Sequence, residues 1–169
     1  MQRIAAFEKV SKERFTADYI DCFKSDTESA GAAYESLKLP LRATAGSAGY
    51  DFFAPCDITL LPGQTVKIPT GIRCRMENGW VLMCFPRSGL GFKYRLQLNN
   101  TVGIIDSDYY GSDNEGHIFA KITNDTNENK TVSIKQQEGF MQGIFVPFGI
   151  TEDDNQDALR NGGFGSTSR

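Results

Sequence analysis

The run VGIIDSDYYGSDNEGHI, residues 102–118, places two aspartates and two tyrosines directly after an apolar segment. Acids at the end of a strand have two ordinary uses. One is local: an Asx-type turn, in which an aspartate side chain takes up backbone N–H groups. The other is chemical: a carboxylate beside a phosphate cradle can activate a water for attack on phosphorus, with a metal ion offsetting the repulsion between carboxylate and polyanion. A calcium loop is excluded. Counted from Asp106, the fifth position is Tyr110 and the twelfth is His117, where an EF-hand needs an oxygen ligand and a glutamate. The standard phosphate loops, G-x-x-x-x-G-K-[ST] and G-x-G-x-x-G, are absent too. Two glycine- and hydroxyl-bearing stretches can still present backbone N–H groups to phosphate, one at Ser88-Gly89 within PRSGLG and one over 162–167.

The remaining reactive residues narrow the chemistry. Cys22, Cys56, Cys74 and Cys84 are scattered with no C-x-x-C pair, and with a single histidine, His117, they make no zinc-ligand set. They read as reduced, half-buried thiols of a cytoplasmic protein. A formal charge of -3 argues against a general nucleic-acid footprint. No apolar stretch reaches membrane-spanning length, and MQRIAAFEKV lacks the long apolar region of a signal peptide, so no membrane association is expected.

Such residues need a frame, and between residues 56 and 148 the pattern is that of β structure. In QTVKIPTGIRCRM, Val66, Ile68, Ile72, Cys74 and Met76 share one parity while Lys67, Arg73 and Arg75 take the other, the mark of strands with one wet face. WVLMCF (80–85) is apolar throughout and is expected to be buried on both faces. HIFAKIT (117–123), TVSIK (131–135) and GIFVPF (143–148) follow, with Leu61-Pro62-Gly63 and Asn78-Gly79 as turns. Short strands with turns between them and no intervening helical period predict an all-β antiparallel barrel or jelly roll. Residues 11–39 differ. Phe15, Tyr19, Cys22 and Phe23 fall at helical spacing, and Ser25 with Glu28 can form a capping box for a second helix faced by Ala30, Ala33, Tyr34 and Leu37. The reading is one β domain over 1–159, two short helices inserted at about 11–38, and a mobile Gly-rich tail over 160–169.

None of these signals is specific alone, but their order is. AGYDFFAP (48–55), PRSGLG (86–91), NNTVGIIDSDYYG (99–111), EGFMQ (138–142) and GGFGST (162–167) resemble, in sequence order, the five motifs of the trimeric deoxyuridine triphosphatase (dUTPase) family. The resemblance runs from about Leu39 to the C-terminus, plus a first strand near Arg3–Val10. It implies a dUTPase-type β-jelly roll, a homotrimer with sites shared between subunits, and cleavage of dUTP to dUMP and pyrophosphate with Mg2+ as cofactor. Asp106 matches the family's general base, which aligns and deprotonates the attacking water. Tyr109 matches the residue whose ring packs beneath the deoxyribose and leaves no room for a 2′-hydroxyl. Asn100, with the backbone around Gly103 and Ile105, matches the hairpin that reads the uracil edge. Arg87, Ser88 and Gly89 match the grip on the phosphates of a neighbouring subunit's substrate, and Gln142 matches the phosphate-side glutamine. Asp51 matches an aspartate that holds magnesium through water. Arg160, Phe164, Gly165, Ser166 and Thr167 match the closing tail, whose aromatic ring stacks over uracil.

The chain departs from that pattern in four places. The fourth motif, usually G-[DE]-R-[IL]-A-Q, has Gln137, Gly139 and Met141 in place of its glycine, arginine and alanine. The tail ends S-T-S-R where S-T-G is usual. After Tyr109 the chain carries GSDNEGHI, longer than the usual turn, and its histidine reads as a loop residue because the family mechanism needs none. The 11–38 insert has no counterpart in the motifs: it is either decoration or a surface for a protein partner, and lying outside them it is expected to be removable at little cost. Two other functions stay open. A dCTP deaminase-like enzyme of the same fold would need a catalytic glutamate after the third motif's hairpin, and a trimeric regulator would use the insert as its contact.

Overall fold

The computed structural model describes residues 2–156. Its elements in chain order are β1 (Ala5–Lys9), α1 (Lys12–Phe23), α2 (Thr27–Ser36), β2 (Leu41–Arg42), β3 (Tyr50–Phe53), β4 (Ile58–Leu60), β5 (Thr65–Pro69), β6 (Ile72–Met76), β7 (Trp80–Pro86), α3 (Ser88–Tyr94), β8 (Leu96–Leu98), β9 (Gly103–Ile105), a 3-10 turn at Ser107–Gly111, β10 (Phe119–Asn124), β11 (Val132–Ile134) and β12 (Gly139–Pro147). The strands form small antiparallel sheets in the orders β1-β6, β5-β10-β8, β11-β4 and β2-β3-β12-β7-β9. All four contribute to one core, in which Phe52, Ile68, Leu82, Ile122, Ile134 and Phe140 are fully buried. The fold is the expected all-β one with a short helical insert.

Local chemistry explains where the chain turns. The alternation of QTVKIPTGIRCRM is cut at Gly71, which takes φ +75. The chain there leaves the β5-β10-β8 sheet for the β1-β6 pair, and Ile68, Ile72, Cys74 and Met76 all remain buried. β7 departs from expectation. It lies inside its sheet between β12 and β9, yet Leu82 and Cys84 are buried while Met83 and Phe85 are only half-buried. Its continuous apolar run therefore records a second face that this chain leaves open. Across that face Ile144, Met83 and Ile104 form one row, with Ile104 49% exposed.

The insert corrects two expectations. α2 is not capped by a Ser25–Glu28 box; Asp26 is the N-cap and accepts from the Ser29 N–H at 2.7 Å. A carboxylate is the stronger acceptor for the helix N-terminal N–H groups, so the helix starts one residue later. Nor is the insert decoration. Val10, Phe15, Tyr19, Ala30 and Ala33 make their own buried cluster, and Phe23 and Cys56 pack against both this cluster and the barrel core. The Tyr34 hydroxyl donates to the Val10 carbonyl at 2.9 Å. A Cβ on Gly71 would lie 2.3 Å from Leu37 Cδ1 and 3.0 Å from Phe15 Cδ2, so the barrel has no side chain where the insert sits. Removing a ring as buried as that of Phe15 costs about 3–5 kcal/mol, which is not the behaviour of a detachable loop.

His117 sits at the junction of insert and barrel and is fully buried. Its Nε2 accepts from the Gly71 N–H at 2.8 Å, and its Nδ1 lies 2.7 Å from Asp18 Oδ2. With Nε2 committed as an acceptor, the ring is neutral and carries its proton on Nδ1. Burial holds its pKa below the ordinary 6.5; the hydrogen bond and charge of Asp18 oppose the shift, Arg14 adds to it and Glu115 opposes it. The unfolded chain thus takes up the proton first, so this contribution to stability is complete above pH 6.5 and is lost as pH falls toward the lowered folded value. Below pH 6.5 urea unfolding should show wild type losing up to about 1.4 kcal/mol per pH unit more than His117→Gln. Parallel pH slopes for the two proteins would show that His117 binds protons equally in both states.

Candidate active site

The Asn99–Val102 bend between β8 and β9 carries the first group of expected site residues. Thr101, at φ +66, closes a tight turn whose N–H donates to the Leu98 carbonyl at 2.8 Å. β9 then runs against β7 at close range: a Cβ on Gly103 would sit 3.1 Å from the Cβ of Cys84, a tight contact at the pair Cys84–Gly103. Asn100, Gly103 and Ile105 thereby line one cavity of about 360 Å3. Its walls are largely apolar, from Cys84, Leu98, Ile118, Ala120 and Met141, with Asn99, Asn100, Lys67 and Lys121 as polar groups. A narrow apolar slot with an amide and main-chain groups at one edge suits a flat, hydrogen-bonding ring.

Asp106 follows immediately. It is exposed, sits in extended backbone at φ -78 and ψ 158, and precedes the 3-10 turn. The turn is held by the main chain, the Tyr109 N–H donating to the Asp106 carbonyl at 3.2 Å, and the Asp106 side chain makes no capping hydrogen bond to it. The Asx-turn reading of D-S-D is thereby set aside. Tyr109 is 2% exposed; its hydroxyl donates to the His117 carbonyl at 2.7 Å and accepts from Asn114 Nδ2 at 2.7 Å.

A second group assembles on the other side of β7. Asp51, Gln142 and Phe85 form one cross-strand row on β3, β12 and β7. Arg87 Nε lies 3.3 Å from Asp51 Oδ1, and its Nη1 donates to the Gly139 carbonyl at 3.3 Å. The altered fourth motif now has a physical sense. A Cβ on Gly139 would fall 2.8 Å from Arg87 Nη1, so the glycine that replaces the usual arginine leaves the space in which Arg87 lies. Gln142 likewise covers Gly49, whose Cβ would be 2.5 Å from its Oε1. Arg87, Ser88 and Gly89 line a hollow of about 370 Å3 with Lys93, Tyr94, Ser133, Glu138 and Gly139. This hollow and the apolar slot share no lining residue, so one chain carries the two groups on separate patches.

Arg160, Phe164, Gly165, Ser166 and Thr167 lie outside the described residues. Residues missed in sequence are Lys67, Phe119 and Lys121, which flank the slot from β5 and β10, with the Lys67 ammonium 4.4 Å from the Phe119 ring centroid. Alternation placed Lys67 on the wet face but carried no sign of what lay beside it. Burial pushes the Cys84 thiol up to about 12, so this cavity-lining cysteine is no nucleophile. Among the described residues no three His, Cys, Asp or Glu side chains converge on a metal position. A single carboxylate such as Asp51 fits magnesium nonetheless, since that ion keeps several waters and rests chiefly on substrate phosphates.

A family model described as dUTPase matches residues 35–168. A deoxyuridine 5'-triphosphate nucleotidohydrolase of Lactococcus lactis is 44% identical over 134 residues, covering 78% of this chain and 88% of that protein. One from Chromobacterium violaceum is 39% identical over 139 residues, with the same coverages of 78% and 88%. Among solved structures, a dUTPase from Streptococcus mutans is 36% identical with a TM-score of 0.63, covering 87% of this chain and 98% of that one. A dUTPase of Staphylococcus aureus phage phi11 matches at 19% identity and a TM-score of 0.63, covering 93% and 98%, a likeness of fold alone.

The Arg87–Asp51 pair has side chains 42% and 20% exposed, a setting in which ion pairs contribute about 1 kcal/mol or less. Arg87→Ala should therefore leave the urea midpoint nearly unchanged. A loss of several kcal/mol would give the pair a structural role and weaken its claim to a ligand.

Proposed function

The chain belongs to the dUTPase family, and on that premise we propose how its residues hydrolyse dUTP to dUMP and pyrophosphate, the reaction that keeps uracil out of DNA and supplies dUMP. The deaminase-like alternative falls with that membership. The observation that carries the assignment of roles is the position of Asp106. It directly follows Ile105 of the apolar slot and stands exposed at the head of the 3-10 turn.

Uracil enters the slot, where Asn100 and the main chain at Gly103 and Ile105 read its edge. A hairpin already braced by β7 loses little entropy on ordering around the base. The deoxyribose is assigned to the Tyr109 ring, whose bulk rejects a 2′-hydroxyl. Arg87, Ser88, Gly89 and Gln142 take the phosphates. Asp106 removes a proton from the water attacking the α-phosphorus; the new P–O bond forms as the bond to the β-phosphate oxygen breaks, and pyrophosphate leaves. Charge gathering on the phosphoryl oxygens is met by the Arg87 guanidinium and backbone N–H groups. Magnesium, when bound, screens the triphosphate, and Asp51 is the residue that would meet it through water. The roles that the family resemblance gives Arg160, Phe164, Gly165, Ser166 and Thr167 fall on residues outside the described ones.

A homotrimer is the assembly we assign. Support comes from the separation of slot and phosphate hollow within one chain, and from the open Ile144–Met83–Ile104 row, which an oligomer would cover. The phosphate group of one subunit then serves the uracil slot of the next. We place the reaction on a free nucleotide of the cytoplasm. Among the described residues no helix is long and apolar enough to cross a membrane. A protein partner at the 11–38 insert would meet its charged outer face, marked by the Lys12–Glu35 and Lys24–Asp21 pairs, because the apolar face is turned to the barrel.

Asp106→Asn should bind dUTP nearly as wild type does and turn it over about two to four orders of magnitude more slowly, the range for a positioned base. Near-normal pyrophosphate release would remove Asp106 from the mechanism. Ile144→Glu should place a charge at the β12 end of the apolar row and convert the trimer to monomers in sedimentation, with activity lost in step. An intact, active trimer would show that this face is not the subunit contact.

A further inference from the structure

A chain of contacts runs from the helical insert to Tyr109. At its outer end the Ser11 N–H and hydroxyl both donate to the Glu115 carboxylate, each at 2.7 Å, and Arg14 donates to the Asp113 carbonyl at 3.3 Å. In the middle, the His117 Nδ1–H donates to Asp18 at 2.7 Å while its Nε2 accepts from Gly71 at 2.8 Å. At the inner end the His117 carbonyl accepts from the Tyr109 hydroxyl, which Asn114 also contacts. Gly116, at φ +68, lets this loop lie on the 3-10 turn: a Cβ there would be 2.7 Å from Tyr110 Cα and 2.8 Å from the Tyr109 carbonyl oxygen. The turn's other tyrosine is pinned separately, its hydroxyl donating to Glu8 at 2.8 Å with the Arg73 guanidinium over its ring at 4.0 Å.

We propose that Asp18 is a positioning residue for Tyr109, acting through His117, so that the helical insert sets the ring that discriminates deoxyribose from ribose. The proposal rests on the role given to Tyr109 above. Its physical basis is that a fully buried imidazole has two places to put hydrogen bonds and both are used. Without Asp18 the Nδ1–H is left unpaired. The ring must then rotate or move its proton to Nε2, and either change costs the Gly71 contact. Residue 117 is held on both sides by short main-chain bonds, its own N–H to Asn114 at 3.1 Å and that of Ile118 to the Ile72 carbonyl at 2.9 Å. A displaced side chain is therefore passed to the backbone, and the His117 carbonyl is the acceptor that fixes the Tyr109 hydroxyl. α1 precedes the region that the family model matches, residues 35–168, so the device belongs to this chain's own insert.

The test compares full-length wild type, Asp18→Ala, Asp18→Asn and Tyr109→Ala by kcat/KM for dUTP and for UTP, and by amide hydrogen exchange over 107–117 with β7 as internal reference. Asp18→Ala should lower the dUTP preference about tenfold, the scale of one charged hydrogen bond, and speed exchange over 107–117 but not in β7. Asp18→Asn, whose amide oxygen still accepts from Nδ1–H, should restore most of both. If Asp18→Ala does not fold, Glu115→Gln loosens the same loop from its exposed side and should shift both readouts in the same direction, less strongly. Unchanged exchange over 107–117 overturns the proposal. So does faster exchange with the dUTP preference intact, where Tyr109→Ala loses that preference. Faster exchange with neither variant losing preference supports the brace and refutes instead the role of Tyr109 as sugar filter.

Discussion

Everything at this site depends on the ladder between β7 and β12. Seven successive pairs, from Met141–Pro86 to Pro147–Trp80, fix which side chains face the core and which face out. On the inner side Cys84 and Gly143 pair, and a Cβ on Gly143 would lie 2.8 Å from Leu82 Cδ1 and 3.1 Å from Phe52 Cε2, so a larger residue would have to displace the Leu82 side chain. That close packing brings Cys84 to the position against which Gly103 and β9 can settle. On the outer side Gln142 pairs with Phe85 and continues to Asp51. A slip of β12 by one residue would bury Gln142 and turn Gly143 outward, so the Asp51–Gln142–Phe85 row and the packing behind Cys84 would be lost together. Register here is a functional constraint as much as a structural one.

The same strand explains how the chain tolerates its unusual fourth motif. A bulge between Gly139 and Met141 interrupts the β12–β3 pairing and lets the successive residues Phe140 and Met141 both be buried. Phe140 fills the core and Met141 lines the slot. Gly139, at the start of the bulge, gives up a side chain and its guanidinium, and the room is taken by Arg87 from the end of β7. Residues 87 and 139 are therefore one unit. Any side chain at 139 would require the Arg87 guanidinium to move from its present place.

Much of the fold could be read in the chain because it is written locally. Alternation in 65–76 gave two strands, and helical spacing of Phe15, Tyr19 and Phe23 gave α1. The order of the motifs gave Asn100, Gly103 and Ile105 as neighbours in one slot. What failed was whatever depends on distant residues. The open face of β7 looks, in sequence, the same as a doubly buried strand, because apolar residues suit a subunit contact and a core alike. Lys67 and Phe119 flank the slot through pairing between β5 and β10, more than fifty residues apart in sequence. His117 was read as a loop residue, and it does lie in the loop before β10; what the reading could not supply is its partner, since Asp18 lies 99 positions away and no local spacing announces a buried pair of that separation.

The insert shows why spacing in a sequence is a poor guide to independence. Adding about 28 residues to a surface connection costs only a slowly growing loop entropy, which made removal look cheap. That argument counts the chain and omits the surface. Once Phe15 and Val10 are covered, the barrel must present something small and apolar beneath them, and Gly71 with its positive φ is that concession. The same glycine supplies the N–H that fixes the His117 tautomer, and the tautomer in turn directs the Nδ1 proton at Asp18. Each step leaves the next residue fewer alternatives. The appended helix pair has drawn a barrel glycine, a buried imidazole and the 3-10 turn after Asp106 into one hydrogen-bonded set. On the coupling proposed for Asp18, a change in the insert is felt at the 3-10 turn.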